Sequence, residues 1–574
     1  MTTRRAVGTL ILLGALIAGA WFLLSRPRDS TPGHAGTTTT VRALVGTMRS
    51  DPPTFNRFVS STFQTHLVSF LTQAPLVRIN PVKQELEPWL ADRWTRSDDG
   101  LRYRLHLREG VTFSDGHPFT ADDVVFSFRA AYDAATKSPL GDSIRVGQSP
   151  LTVTAAGPSE VDIAFPRPSG PGLRLLDAIP IYPKHLLEAS LDAGRFRDAW
   201  ATTTPPAQMA GLGPFVLESY QPGERLVFVR NRHYWRTDDS GQPLPRLDRL
   251  TLEVVPSQDA ELLRLRAGQV DMIQSEVRAE DYQPVKADAD LGRLKLTEVG
   301  TALDTYWLWL NLVPDAHDQR PWLRTEAFRH AISRAIDRQQ FIKTVYLGAA
   351  VPGWGPVSPA NRNWYETAVA VPAYDPAQAR ALLAGLGLRD RNGDGLLDDD
   401  KGQTVRFNVL VARGLTAGEK GVAVLKESLA KIGVGVDVSA VDLGALQTRF
   451  GTGDYDAIYN RFEATDTDPA GNMDLWLSSG GFHVWNPGQS QPATDWERQI
   501  DELMARQAST LDITERRHLF SQAQQLLAAH EPLIVFAFPR VFVAVGARVG
   551  SVLPSVQRPQ LLWSPDTLSV TAVH

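Results

Sequence analysis

Residues 390–400 form an acidic segment whose residue types and spacing could bind a metal ion. Oxygen-bearing side chains occupy positions 1, 3, 5 and 9 of a calcium loop at Asp390, Asn392, Asp394 and Asp398. Gly395 stands at position 6, where such loops need a sharp turn. Position 12, which needs a bidentate carboxylate, is Lys401. We interpret the segment as a tight acidic turn, with a weak calcium site as the alternative.

Catalytic and cofactor motifs are absent from the sequence. It contains no G-x-S-x-G, H-E-x-x-H or G-x-x-x-x-G-K-[ST] pattern, and its 12 histidines are scattered. It has no cysteine, which excludes disulfides, thiolate zinc sites, iron–sulfur clusters and lipid attachment at an N-terminal cysteine. We expect no cofactor and no enzymatic activity.

Length and composition describe a multidomain globular chain. The 574 residues allow about three to four domain-sized units. With 43% hydrophobic and 21% charged residues, the chain is neither disordered nor a polytopic membrane protein. The net charge of −5 gives no basic excess, so we expect no nucleic-acid partner.

The pattern of residues 1–28 at the N-terminus is typical of an export signal or a membrane anchor. Two arginines precede the uncharged residues 6–25, which could span about 30 Å as a helix. Ala18 and Ala20 could mark a signal cleavage site, but the bulky residues from Trp21 continue the apolar run. We predict an uncleaved anchor in the cytoplasmic membrane with the body outside, and a cleaved signal as the alternative. Residues 29–41 read as a linker to a folded body at 42–574.

Periodicity in the folded body predicts mixed strands and helices. Alternating apolar residues predict strands at 102–107, 250–255 and 405–411. Helical spacing predicts helices at 324–347, 496–507 and 513–530, the last leading into a strand at 533–538. Thr120 with Asp123 has the pattern of a capping box, and Asp375 precedes a proline at a helix start. This order predicts an α/β fold with mixed sheets.

Several ordered blocks carry a family resemblance. Residues 87–133 resemble the signature of the family 5 extracellular solute-binding proteins, the peptide- and oligopeptide-binding components of ABC importers. Further blocks resemble the family in order at 211–235, 247–272, 309–350, 374–388 and 424–442. Together the blocks cover about residues 40–550.

The resemblance implies a two-lobed, periplasmic-binding-protein-like fold of type II, in the large three-subdomain cluster, with a ligand cleft. It implies lobe I at 42–85, 205–300 and 539–574, an inserted subdomain at 86–204, and lobe II at 301–538. Such a protein closes on its ligand by hinge motion.

The resemblance also implies where a peptide amine would bind, and the sequence departs there. Family members that bind peptides use an aspartate, which aligns with Thr465, and a tryptophan, which aligns with Phe462. Because threonine has no charge for an ammonium group, Asp466 or Glu463 would have to substitute. The other interpretation is that Asp466 and Asp468 only cap a helix.

Loop residues supply the remaining candidates for ligand binding. Ser61 and Thr62 follow the first strand, where the first lobe of the family meets ligand. Residues 482–486, which include Phe482, Trp485 and Asn486, follow a glycine pair, where the family often places ligand contacts. Trp354, between two glycines, is either a stacking surface or a packed loop anchor.

We therefore expect an extracytoplasmic, monomeric binding protein that delivers a peptide or related solute to the permease of an ABC transporter. Two alternatives remain open from sequence. One is a membrane-anchored sensor or interaction protein that uses the same cleft without transport. The other is a hydrolase on this scaffold that uses the carboxylates of Glu463 and Asp466.

Overall fold

The computed structural model describes residues 41–313, 320–462 and 467–571, and Arg42–His574 form one compact unit. The predicted anchor and all of the linker except Val41 lie outside the described residues. Within the described ranges, no helix is long and apolar enough to cross a membrane.

The described residues contain twenty strands, which are numbered in chain order. The first ten are β1 (Ala43–Met48), β2 (Val77–Asn80), β3 (Glu85–Pro88), β4 (Ala91–Arg96), β5 (Arg102–Leu107), β6 (Thr152–Gly157), β7 (Glu160–Ala164), β8 (Phe215–Gln221), β9 (Arg225–Arg230) and β10 (Arg249–Val254). The others are β11 (Leu294–Thr301), β12 (Thr305–Leu310), β13 (Ala350–Pro352), β14 (Arg406–Ala412), β15 (Gly435–Val441), β16 (Ala457–Phe462), β17 (Leu533–Val535), β18 (Ala537–Gly546), β19 (Val549–Gly550) and β20 (Ser569–Val570). The predicted strands at 102–107, 250–255 and 405–411 correspond to β5, β10 and β14.

The α-helices are numbered in the same way across the described residues. They are α1 (Phe63–Thr72), α2 (Ala121–Tyr132), α3 (Pro139–Ser143), α4 (Lys184–Asp192), α5 (Gln258–Arg266), α6 (Tyr282–Asp290), α7 (Glu326–Ala335), α8 (Arg338–Tyr346), α9 (Pro376–Gly385), α10 (Thr416–Ala430), α11 (Leu443–Thr452), α12 (Met473–Trp476), α13 (Asp495–Ser509) and α14 (Ile513–His530). Short 3-10 helices lie at Arg57–Val59, Gly172–Ala178, Phe196–Asp198, Pro206–Gln208, Ala279–Asp281, Pro321–Arg324 and Pro469–Asn472.

The larger sheets are mixed or antiparallel, which confirms the α/β class with mixed sheets. One four-stranded sheet has the order β1-β10-β9-β8, with β1 parallel to β10. A second, antiparallel sheet has the order β4-β5-β7-β6. A five-stranded sheet has the order β15-β14-β16-β12-β17, in which β14 runs parallel to both of its neighbours.

These sheets pack into two bodies with separate cores. The first body contains both four-stranded sheets and shares one hydrophobic cluster, to which Leu44, Leu105 and Phe228 belong. The second body contains the five-stranded sheet, with apolar clusters on its two faces. Strand β18 runs between the bodies, because Ala537 packs in the second and Val543 in the first. The predicted domain boundaries stay a prediction.

The structure confirms two predicted helix starts and corrects one predicted helix and one predicted strand. The capping box of Thr120 and Asp123 is present at α2, and Asp375 accepts a hydrogen bond from the first turn of α9. The single helix predicted at 324–347 is wrong. Its backbone turns extended at Ile336, and Asp337 caps a second helix by accepting from two backbone amides at 3.0 Å each. The strand predicted at 533–538 is also wrong, because it breaks at Phe536 into strands of two different sheets.

Candidate functional site

A cavity of about 240 Å³ opens in the second body. Aromatic rings form much of its wall, from Trp307, Trp476, Phe482 and Phe520. Polar groups reach it at a few places, including Asp304, Asn361 and Thr467. A mostly apolar cavity with a few polar groups is the typical form of a small-ligand site.

Four segments that are distant in the chain line this cavity: residues 303–307, 356–361 and 467–482, and Phe520 of helix α14. Strand β12, which contributes Trp307, is buried along its whole length between β16 and β17. Asn361 donates from Nδ2 to the carbonyl of Thr467 at 2.8 Å, which ties the second segment to the third. Within the described residues, the Oδ1 atom of Asn361 is buried and has no hydrogen-bond partner. A buried acceptor without a partner is unusual in a folded protein, and Asn361 itself lines the cavity.

The third segment is fixed by a buried ion pair. Asp468 is 2% exposed, and both of its carboxylate oxygens accept from the guanidinium of Arg516, at 2.6 and 2.9 Å. The same carboxylate accepts from the backbone amide of Ala470 at 3.0 Å and caps the 3-10 helix Pro469–Asn472. The interpretation of Asp468 as a helix cap is therefore confirmed.

Hydrogen bonds from the first body reach the edge of the cavity. Arg174, from the first body, donates to the hydroxyl of Thr467 at 3.2 Å. Three further bonds cross the same boundary: Gln84 to the carbonyl of Ala360 at 2.9 Å, Arg362 to the carbonyl of Val82 at 2.8 Å, and the amide of Gly170 to the carbonyl of Ala508 at 2.7 Å. The cavity thus lies beside the contact between the two bodies.

A chain of charges also crosses between the bodies. Arg461 donates to both carboxylate oxygens of Asp304 at 2.8 and 3.1 Å, and lies 3.8 Å from Glu276 in the first body. Gln560 holds Glu276 in place by donating to it at 2.8 Å. Burial by itself would lower the pKa of Arg461, but the two carboxylates outweigh that effect and raise it. Arg461 therefore stays charged and joins a residue of the cavity wall to the opposite body.

A buried hydrogen-bond network around Glu497 directly follows Phe482 in the chain. The Glu497 carboxylate accepts hydrogen bonds from Trp485 at 3.0 Å and from the backbone amide of Thr494 at 2.9 Å, and it contacts His483 at 3.2 Å. Burial alone would raise the pKa of Glu497, but the side chains of His483, Trp485 and Thr494 that contact its carboxylate lower it to about 2. The ring of Phe482 is 51% exposed and lines the cavity.

Three of the candidate residues are buried and make packing contacts in the structure. Trp354 is buried and donates to the hydroxyl of Tyr365 at 2.9 Å. Trp485 is buried against Glu497, and Asn486 is buried and bonded to Gln489. None of the three lines the cavity described above. A role for these residues in binding stays a prediction.

The other candidates lie on loops. Ser61 and Thr62 are exposed directly before helix α1. Glu463, Thr465 and Asp466 lie outside the described residues. Phe462 is the last residue of β16, next to Arg461. These assignments also stay predictions.

Carboxylates of the acidic segment accept hydrogen bonds from their own backbone. Asp390 accepts from the amides of Gly393 at 2.7 Å and Gly395 at 3.0 Å. Asp398 accepts from the amide of Arg391 at 3.0 Å. Across the described residues, no group of three or more histidine or acidic side chains is arranged to hold a metal ion. These contacts favour the turn, and the calcium alternative is open to a direct test.

Sequence reasoning missed Asp304, Trp307, Asn361, Trp476 and Phe520 at the cavity. They lie far apart in the chain, and each resembles an ordinary core or loop residue in its own segment. One signal was available in the two tryptophans of the short apolar strand β12, because aromatic side chains are common in the walls of ligand cavities.

Two compact bodies with a cavity beside their contact define a two-lobed binding protein. The sequence profile of the bacterial extracellular solute-binding proteins, family 5, matches residues 85–483. The chain belongs to this family, whose members act outside the cytoplasm.

Individual relatives and a solved structure agree with this assignment. The chain is 25% identical to a probable ABC transporter-binding protein of Deinococcus radiodurans, over 98% of this chain and 99% of the relative. It is 27% identical to the oligopeptide-binding protein AppA of Bacillus subtilis, over 88% and 87% of the two chains. The structure of that AppA in complex with a nonapeptide superposes with a TM-score of 0.70, at 25% identity, over 93% of this chain and all of AppA. The similarity confirms the two-lobed fold expected from sequence.

Replacing Asp468 by asparagine should destabilise the protein, because Arg516 would then be a buried cation without its carboxylate. The expected loss in the free energy of unfolding is about 3–5 kcal/mol, measured by urea denaturation. Asp454→Asn is the matched control, since Asp454 forms an exposed ion pair with Arg449 and should change stability by about 0–1 kcal/mol. Equal stability of the two variants would show that the buried pair does not fix this segment.

The acidic segment should behave as a turn. Addition of a chelator to the purified protein should leave the melting temperature unchanged in a thermal denaturation experiment. A calcium site of the folded state would instead add about 2.7 kcal/mol at a hundredfold excess over Kd. A calcium-dependent rise in melting temperature that disappears in Asp394→Ala would contradict the turn.

Proposed function

We propose that this protein captures peptides or related solutes between its two lobes and delivers them to the permease of an ABC transporter. The observation that carries the proposal is the apolar cavity beside the contact between the bodies, with the unpartnered oxygen of Asn361 at its wall. The cavity suits an apolar side chain, and the Asn361 oxygen suits a donor such as a peptide amide. Relatives named for oligopeptide binding support the solute class.

Binding in this proposal is coupled to closure of the lobes and involves no chemical step. The monomer closes on its solute by hinge motion about the strands between the bodies, and ATP hydrolysis belongs to partner subunits. Asp466 or Glu463 binds the amine of the ligand in place of the missing family aspartate, and Phe462 contributes to the lining of the cleft. The contacts from Arg174 and Gln84 to the second body stabilise the closed arrangement.

Phe482→Ala should weaken solute binding without weakening the fold, because the ring is exposed and lines the cavity. Removing one partly buried aromatic ring should reduce affinity by about 1–2 kcal/mol, or roughly five- to thirtyfold. Calorimetry with the solute that co-purifies, identified by mass spectrometry, measures the change. Tyr374→Ala is the matched control, since Tyr374 is an exposed aromatic residue outside the cavity lining. Equal affinities for the two variants would place the solute elsewhere.

Residues 1–28 are proposed to tether the protein to the outer face of the cytoplasmic membrane. An uncleaved apolar segment should keep the protein in the membrane fraction after washing at alkaline pH, because the wash removes peripheral proteins but not spanning helices. Immunoblotting of the washed fractions measures this. N-terminal sequencing that starts at Trp21 or later would contradict the tether.

A further inference from the structure

Arg57 carries a charge that the described protein does not neutralise. It begins the 3-10 helix Arg57–Val59, in the loop between β1 and α1. One guanidinium nitrogen, Nη1, donates to the carbonyl of Ser60 at 2.8 Å. Within the described residues, its Nε atom is buried without a hydrogen-bond partner, and the side chain forms no ion pair.

A partly buried guanidinium without a carboxylate is energetically unfavourable. Burial removes water from the charge, and it lowers the pKa of Arg57 below its ordinary value. Buried cations in folded proteins are normally paired, and the planar fork of arginine fits a carboxylate with two parallel hydrogen bonds. Among the described residues, the acceptor recorded for the Arg57 guanidinium is the carbonyl of Ser60, and no carboxylate pairs with it.

The backbone on both sides of Arg57 is locked. Asn56 is fully buried and donates from Nδ2 to the carbonyl of Phe196 at 2.9 Å. Phe58 is also fully buried and packs edge-on against Tyr182, whose hydroxyl accepts from the Arg57 backbone amide at 2.9 Å. The position of Arg57 is therefore set before any ligand arrives, which reduces the entropy lost on binding.

His66 lies close enough to Arg57 for the two side chains to interact electrostatically. It is exposed on the first turns of α1, yet surrounding protein desolvates it, and this effect together with the Arg57 charge lowers the pKa of His66 to about 4. At neutral pH its imidazole is uncharged and can donate one hydrogen bond. The exposed Ser61 and Thr62 lie between the two residues in the chain.

This loop leaves the sheet at the edge that faces the second body. Strands β1 and β10 are parallel, so their carboxyl ends share one edge. Just past that edge, the backbone amide of Arg49 donates to the side chain of Gln274 at 2.8 Å. Glu276, two residues after Gln274 in the chain, forms an ion pair with Arg461 of the second body. Phe63, the first residue of α1, lines a small depression with Gln274 and Gln560. The start of α1 is thus beside the point where the two bodies approach each other.

We propose that Arg57, assisted by His66 and the hydroxyls of Ser61 and Thr62, binds a carboxylate of the solute on the first body. The proposal rests on the solute-binding function above and adds that the cargo carries an anionic group. An apolar side chain would occupy the cavity in the second body while the carboxylate meets Arg57. The carboxylate belongs either to a peptide C-terminus or to an acidic side chain.

Three tetrapeptide pools test the proposal by calorimetry on the full chain. The first has neutral side chains and a free C-terminus, the second is the same pool amidated, and the third is amidated with one glutamate. Wild type should bind at least one carboxylate pool about tenfold or more tighter than the neutral amidated pool. Tighter binding of the first pool identifies the peptide C-terminus as the source of the carboxylate, and tighter binding of the third identifies an acidic side chain. Arg57→Gln should remove the preference, while Arg232→Gln, an exposed control with the same charge change, should keep it.

Equal binding of all pools by wild type, or an unchanged preference in Arg57→Gln, overturns the proposal. If wild type binds none of the pools, the peptide cargo is refuted. The proposed carboxylate position is then tested separately with acetate as the probe. Acetate near Arg57 should raise the pKa of His66, followed by NMR of the histidine ring, in wild type but not in Arg57→Gln. No such rise in wild type overturns the carboxylate position itself.

Discussion

The buried ion pair between Asp468 and Arg516 is the interaction on which the candidate site depends. Removing both charges from water is unfavourable, and only a well-formed pair with further hydrogen bonds offsets that effect. Arg516 meets this condition, because it also donates to the carbonyl of Gln507 at 3.0 Å and lies 4.8 Å above the ring of Trp364. The pair fixes the segment that begins at Thr467 onto helix α14, and this segment forms one wall of the cavity and meets Arg174 of the first body.

The contacts between the two bodies differ in kind from those within each body. Inside each body the core contacts are apolar, with one cluster in the first body and one on each face of the five-stranded sheet in the second. Across the boundary near the cavity, polar hydrogen bonds and the partly exposed pair of Arg461 and Glu276 predominate. Such contacts are individually weak and exchange readily with water. A boundary of this type allows opening for solute entry, while β18, whose residues pack in both bodies, keeps them connected.

Local sequence signals predicted much of the fold. The strand β5, the capping box at α2 and the aspartate cap at α9 depend on neighbouring residues only, so periodicity and cap chemistry identified them. The break at Asp337 was missed because the apolar spacing continues through it, and only the side-chain hydrogen bonds to the next turn reveal a new helix start.

The site was harder to predict, because its properties depend on contacts between distant segments. Asp304, Asn361 and Phe482 meet only after the second body has folded. Arg57 is one arginine among many in the sequence, and only the three-dimensional structure shows that no carboxylate of the described residues pairs with it. The family resemblance identified the general scaffold and pointed to residues 462–466 and 482–486. Of these, Phe482 lines the cavity, and the rest of its wall comes from other segments.

The central claim is that the solute is held between two bodies that close upon it. Because the chain has no cysteine, two introduced cysteines can be spin-labelled without interference. Leu186→Cys on the first body and Leu443→Cys on the second lie at exposed positions, so the distance between the labels reports the arrangement of the bodies. Pulsed electron resonance should show the distance distribution shift and narrow when the co-purified solute is added, and broaden again when it is removed. The same distribution with and without solute would contradict the account.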